Sequence, residues 1–91
     1  MMRFEWDEAK AAANLAKHRV SFNEAATVLG DTLGWSYPDP EHSLAEERWL
    51  VIGMSERQRV LVVAYRADAD TIRLISARRA TRKERSFYEE G

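Results

Sequence analysis

Residues 60–65 read Val-Leu-Val-Val-Ala-Tyr, an unbroken apolar run. The run has the length of a strand and is too short for a buried helix. Successive strand side chains point to opposite faces, so a strand apolar at every position needs cover on both. The chain must therefore build a sheet between two other layers, with residues 60–65 near its middle. Polar turns flank the run, Ser55 to Arg59 before it and Ala67-Asp68-Ala69-Asp70 after it. Beyond them Arg48 to Met54 and Thr71 to Arg78 read as strands, and short turns between consecutive strands predict an antiparallel meander. Leu33 to Tyr37 is a further strand, and Pro38-Asp39-Pro40 behind it confines it to an edge. Asp39 to Glu47 is polar and reads as an exposed loop.

The covering layers have to be helices. Asp7 is placed to cap one from about Glu8 to Lys17, with Ala9, Ala12, Leu15 and Ala16 as a thin apolar stripe. Ser21-Phe22-Asn23-Glu24 has the spacing of a capping box, in which the serine hydroxyl accepts from the Glu24 amide and the carboxylate reaches back. The helix it opens carries Phe22, Ala25, Ala26 and Leu29 on one side and stops at Gly30-Asp31. Thr81-Arg82-Lys83-Glu84 is another capping box, opening a helix to about Glu89. The expected fold is α+β: two N-terminal helices, a four-stranded, mainly antiparallel sheet and a C-terminal helix, in a single domain spanning 1–91. A chain of 91 residues has material for one core.

Several chemistries are excluded. With no cysteine there is no disulfide framework, thiol nucleophile or thiolate metal cage. The two histidines, His18 and His42, stand too far apart for a ligand motif, and no HExxH, Gly-rich phosphate loop or GxSxG elbow occurs. Neither a metal nor an organic cofactor is expected. Acids at Glu5, Asp7 and Glu8 interrupt the place where a signal peptide would be apolar, and no run approaches the ~18 residues of a membrane span. The expectation is a cytoplasmic protein without a membrane role.

Charge is spread unevenly. Residues 1–56 hold 5 basic and 10 acidic side chains, and residues 57–91 hold 9 basic and 5 acidic. The second stretch therefore concentrates a positive field, and all its basic residues but Lys83 are arginines, whose planar fork matches phosphate oxygens. Simple alternation along Thr71–Arg78 puts Arg73, Ile75 and Ala77 on one face, and Ile72, Leu74, Ser76 and Arg78 on the other. Arg73 then shares a face with buried-type residues and needs a partner or marks a site. Arg78-Arg79 stands where the strand gives way to a helix N-terminus, a place suited to anions. Pairing of Arg73 and Arg78 with Glu46, Glu47 or Glu56 is an alternative. Arg82, Lys83 and Arg85 read equally well as a solvated helix face. His42, followed by Glu46-Glu47-Arg48, is a candidate proton-transfer group near neutral pH or a surface residue. His18 suits the C-terminus of the first helix. Trp35, on the edge strand, is available for stacking on a base.

Taken in order, the blocks Phe4-Glu5-Trp6-Asp7, Lys10, Asn14, Lys17-His18, Val20-Ser21-Phe22, Glu24-Ala25-Ala26, Asp39, His42-Ser43, Glu46-Glu47-Arg48, Ile72 to Thr81 and Glu84-Arg85 cover almost the whole chain. In order and spacing they resemble the BrnT family of type II toxins, which are RelE-like ribonucleases. The resemblance implies a compact sheet with flanking helices and RNA cleavage that stops translation. It also implies a hetero-oligomer with a BrnA-type antitoxin, which neutralises the toxin and supplies the contact with operator DNA. Members often carry a Thr-Glu-Arg-Gly-like turn after the central strand. Here that stretch reads Arg66-Ala67-Asp68-Ala69, with Arg66 as the nearest substitute for the missing arginine.

RNA cleavage through the 2′-hydroxyl needs a base, cations on the phosphate and an acid at the leaving oxygen. These needs assign Arg73 and Arg78 to the phosphate, with Arg79 in support. His42 moves protons, Glu47 orients it or serves as base, and Arg48 holds Glu47. Arg66 and Arg82 complete the RNA-binding set. The alternative is a catalytically weak or inactive domain that acts with the antitoxin in transcriptional autoregulation.

Overall fold

The run at residues 60–65 does lie at the middle of the sheet. A computed structural model describes residues 2–41 and 47–91. The order is β1 (Arg3–Glu5), α1 (Glu8–His18), α2 (Phe22–Val28), β2 (Trp35–Pro38), β3 (Trp49–Met54), β4 (Val60–Asp68), β5 (Thr71–Arg79) and α3 (Arg82–Glu90). The sheet runs β1-β5-β4-β3-β2, with β1 parallel to β5 and every other pair antiparallel.

Five strands replace the four expected from sequence. The added strand is β1, whose three residues are too few to show a period. It exists because β5 offers an open edge, and Phe4 pairs with Ile72 there. Ala67 and Asp68, expected in the turn, instead continue β4, and only Ala69 and Asp70 turn the hairpin.

One face of the sheet packs on α1 and α2 through Val20, Phe22, Ala25, Val28, Val51, Leu61, Val63, Tyr65, Ile72, Leu74 and Ala77. Trp6 meets Phe22 edge-on, with ring centroids 5.9 Å apart. The other face carries a smaller cluster, Ile52, Val60 and Val62, with Tyr37, Leu50, Ala80 and Tyr88 of α3 against it. Both faces of β4 are thus covered along its first half, as its composition requires. Gly53 permits the close approach of α2: a Cβ there would stand 2.9 Å from Val28 Cγ1.

Helix α1 presents a different face from the expected one. Ala9, Ala12, Leu15 and Ala16 are exposed, and the side turned to the sheet carries Ala11, Asn14 and His18. The polar Asn14 sits in the buried row, which hides the row from a hydrophobic pattern. Pairing of β1 with β5 stops at Arg73. Further along the same strand, Asn14 takes the place of a neighbouring strand. Its Nδ2 donates to the carbonyls of Ala77 at 2.8 Å and Val20 at 3.0 Å, and its Oδ1 accepts from the Ala77 amide at 3.0 Å.

Helix α3 is anchored at its start. Thr81 and Glu84 form the full expected capping box, and Arg78 on β5 grips the Glu84 carboxylate with two hydrogen bonds of 2.8 and 2.9 Å. The Ser21 box is only half made. Ser21 Oγ accepts from the Glu24 amide, but the Glu24 carboxylate turns to Ser55 and Arg59 on the β3–β4 turn.

Two outcomes follow from these contacts. Asn14→Ala strips Ala77 of both backbone partners, so chemical denaturation should show a loss of about 2–4 kcal/mol. A loss under about 1 kcal/mol would mean that water replaces the carboxamide. The Arg78 guanidinium holds the Glu84 carboxyl at about 2, down from 4.5. A depressed acid stabilises the fold fully above its unfolded value and loses that contribution as pH falls toward the folded one. Allowing for solvent at Arg78, the contribution is about 1–2 kcal/mol. The stability gap between the parent and Glu84→Gln should therefore shrink as pH is lowered from about 6 to about 3. A gap that stays constant over that interval sinks the assignment.

Candidate functional site

The site begins with an irregularity in β5. Ala64 pairs with Ser76 and Tyr65 with Leu74, so Ile75 is left over as a bulge. The extra residue changes which side chains share a face. Ile72, Leu74 and Ala77 all join the core under α1 and α2, and Arg73 and Arg78 both fall on the other face. Strict alternation had put these arginines on opposite sides, because it counts no bulge.

Register then lines up charges across the sheet. Glu5 on β1 is opposite Arg73 on β5, and Arg73 is opposite Arg66 on β4. Arg66 and Arg73 form the wall between two hollows. On one side is an open cleft of about 560 Å³, bounded also by Glu5, Glu47, Ala67, Asp68 and Thr71. On the other is a recess of about 70 Å³, reached by Asp7, Lys10 and Arg48, with Leu74 and Ile75 behind. The cleft thus has carboxylates facing two guanidinium groups. Among the described residues, four cationic side chains and one acid line the recess.

The charges are held with different firmness. Arg73 Nη1 lies 3.2 Å from Glu5 Oε1, with the two side chains 43% and 51% exposed. An ion pair so open to water is worth at most about 1 kcal/mol, so a phosphate can take its place. Asp7 is committed instead to the start of α1. It accepts from the amides of Ala9 at 2.8 Å and Lys10 at 3.1 Å. Those hydrogen bonds, Lys10's first, hold its carboxyl below the usual range, and the charges of Lys10 and Arg73 add to the effect.

The structure gathers some of the residues singled out in the sequence. Arg66, Arg73 and Glu47 meet at the cleft, and Arg48 reaches the recess. Arg78 borders neither hollow and is engaged with Glu84. Arg79 and Arg82 are exposed, at the end of β5 and the start of α3. His42 lies outside the described residues. Trp35 packs against Phe87 of α3, with ring centroids 5.6 Å apart and planes tilted by 57°.

Glu5, Lys10, Asp68 and Thr71 were given no site role from the sequence, although Glu5 and Lys10 stand in blocks of the resemblance and Asp68 in the departing turn. Periodicity gave no sign of Glu5, since it arrives on a three-residue strand, although it falls within the Phe4–Asp7 block of the resemblance. Asp68 and Thr71 close the β4–β5 hairpin, and of the Arg66–Ala69 stretch that departs from the family pattern, Arg66, Ala67 and Asp68 line the cleft. Among the described residues, no group of three or more histidines, aspartates or glutamates is placed to hold a metal. No helix among them is long and apolar enough to cross a membrane.

Comparison with known proteins bears on the family and the fold. No curated protein matches the sequence significantly. Among solved structures, the crystal structure of the Brucella abortus ribonuclease toxin BrnT superposes with a TM-score of 0.70. It is 24% identical over 90% of this chain and 100% of that one, a likeness of fold. The family model for the ribonuclease toxin BrnT of type II toxin–antitoxin systems matches residues 6–84. With nearly the whole chain inside that match and the same fold, the chain belongs to the BrnT family of ribonuclease toxins.

Proposed function

We propose that this chain is a metal-independent endoribonuclease that cuts RNA at the Arg66–Arg73 cleft and so inhibits translation. The observation that carries the reading is the cross-strand apposition of Arg66 and Arg73 in a cleft that Glu47 also borders. In the reaction, the 2′-oxygen forms a bond to phosphorus and the bond to the 5′-oxygen breaks. Arg73, released from Glu5, and Arg66 take the phosphate oxygens, where charge builds in the transition state. Glu47 accepts the 2′-hydroxyl proton, and His42 returns a proton to the leaving oxygen. Arg48 keeps Glu47 oriented, and Arg79 and Arg82 add diffuse positive charge along the RNA path. Arg78 is a positioning residue in this reading, since its guanidinium holds α3 through Glu84.

Type II systems restrain a toxin with a protein. The partner proposed is a BrnA-type antitoxin that folds over the basic surface in the cytoplasm, and operator DNA is met only through it. One observation favours a second reading, a weak or inactive domain kept for autoregulation: three residues of the departing Arg66–Ala69 stretch, Arg66, Ala67 and Asp68, line the cleft itself. Growth arrest on expression without antitoxin separates the two.

The test is induced expression of the parent, Arg73→Ala and Arg78→Ala, with primer-extension mapping of cellular RNA. Arg73→Ala should cut at least about 100-fold less, the usual loss for one oxyanion-type donor. Arg78→Ala should lose stability but keep most cleavage per folded molecule. Parental cutting by both variants would remove the arginine site. Loss of cleavage in a well-folded Arg78→Ala would return that residue to the phosphate clamp.

A further inference from the structure

The apolar side of α1 that the sequence assigned to the core faces away from the sheet, and nothing among the described residues covers it. Glu8, Ala12, Leu15 and the cap residue Arg19 stand there at i, i+4, i+7 and i+11, one stripe of a helix, and all four are exposed. The stripe complements itself when reversed: acid, small, large, base lies against base, large, small, acid. We infer that this face of α1 binds a second copy of the same chain, with the two helices antiparallel about a two-fold axis. The inference stands apart from the RNA-cleaving reading, since no residue lining this face lines the cleft or the recess.

A two-fold contact needs knob and hole on one surface. Leu15, 49% exposed, is the knob. It borders two hollows. One, of about 300 Å³, has an apolar lining of Trp6, Ala11, Ala12 and Phe22, with Glu8 beside it. The other, of about 550 Å³, is lined by Ala16, Arg19, Arg57 and Arg59. With the copies antiparallel, Leu15 of each enters the first hollow of the other at Ala12, whose small side chain lets the helix axes approach to about 8–10 Å. The same placement brings Glu8 of each copy to the cations beside the knob of the other. Glu8 accepts a hydrogen bond from the Trp6 indole at 2.7 Å, and neither Glu8 nor Arg19 has an ion pair among the described residues. Arg59 is spent on Glu24, but Arg57 is 67% exposed and only 3.7 Å from that carboxylate at its tip. Antiparallel helix dipoles add a small attraction, and a net charge of −1 sets up no general repulsion between copies. One helix face is a small interface, so the dimer is weak, in the micromolar range.

Sedimentation equilibrium over a concentration series tests this on the parent, Leu15→Gln, Glu8→Arg, Arg19→Glu and an equimolar mixture of the last two. The parent should self-associate. Glutamine is a good helix former, so Leu15→Gln should keep the parent's circular dichroism and denaturation midpoint. Its association should weaken at least about tenfold, because a two-fold interface loses the leucine twice. Glu8→Arg and Arg19→Glu should each be monomeric, since each places like charges at both ends of the contact. Their mixture should dimerise again, because in the mixed pair every such contact is arginine against glutamate. Damage to folding gives no recovery on mixing. A parent that stays monomeric to about 500 µM overturns the dimer. A mixture as monomeric as its components also overturns it. If the parent is monomeric but Leu15→Gln binds a purified BrnA-type antitoxin more weakly than the parent does, the face belongs to that partner and the second copy is overturned.

Discussion

The carboxamide of Asn14 sets where the helical layer sits on the sheet. Strand β5 must end β1's pairing at Arg73, because β1 is only three residues long. Beyond that point its backbone would face the core side with an unmet donor and acceptor. A buried amide group without partners costs several kcal/mol, so the gap has to be filled. Asn14 fills it with the same donor–acceptor pair a strand would offer, and its remaining donor reaches Val20 in the α1–α2 connection. One side chain thereby fixes α1, the connection and β5 together. It also fixes the reach of Lys10 and Asp7, which lie one turn and two turns earlier on the same helix or its cap.

Other joints use the same device, a polar side chain placed against backbone or an opposite charge. Asp31, just past α2, accepts from the amides of Leu33 and Met54 and from the Tyr88 hydroxyl on α3. Burial would raise its carboxyl, but these three donors outweigh burial and hold it low. The Tyr88 hydroxyl, bound to that carboxylate, is pushed up to about 12. Glu24 is 3% exposed and is held below its usual range by Arg59 first, and by Ser55 and Arg57. Among the described residues no buried side-chain polar atom lacks a partner. In a domain with a small core, such joints decide which of several similar packings is adopted.

The proposed site contrasts with these joints. Its ion pair, Arg73 with Glu5, is half open to water, whereas the structural pairs of Glu24 and Glu84 are more enclosed. Arg73 and Arg78 are themselves equally exposed, at 43% and 42%. They part company in how they are bound: Arg78 grips Glu84 with two hydrogen bonds of 2.8 and 2.9 Å, whereas Arg73 makes one of 3.2 Å to the more exposed Glu5.

The sheet and its cover were legible in the chain. An apolar run with polar turns on both sides demands a central strand, and Asp7, Ser21 and Thr81 mark helix starts by short-range chemistry. The basic excess of residues 57–91 was legible for the same reason, since charge and residue type need no coordinates. Three things belonged to tertiary structure. Strand β1 forms only because β5 offers it an edge. The buried face of α1 turns on Asn14, whose polarity masks it until Ala77 is seen beside it. The bulge at Ile75 reverses the facing of everything after it, and nothing local to β5 announces it. Period and propensity are properties of neighbours along the chain. Pairing register, and with it the gathering of Glu5, Arg66, Arg73 and Lys10, is settled by contacts between segments far apart in sequence.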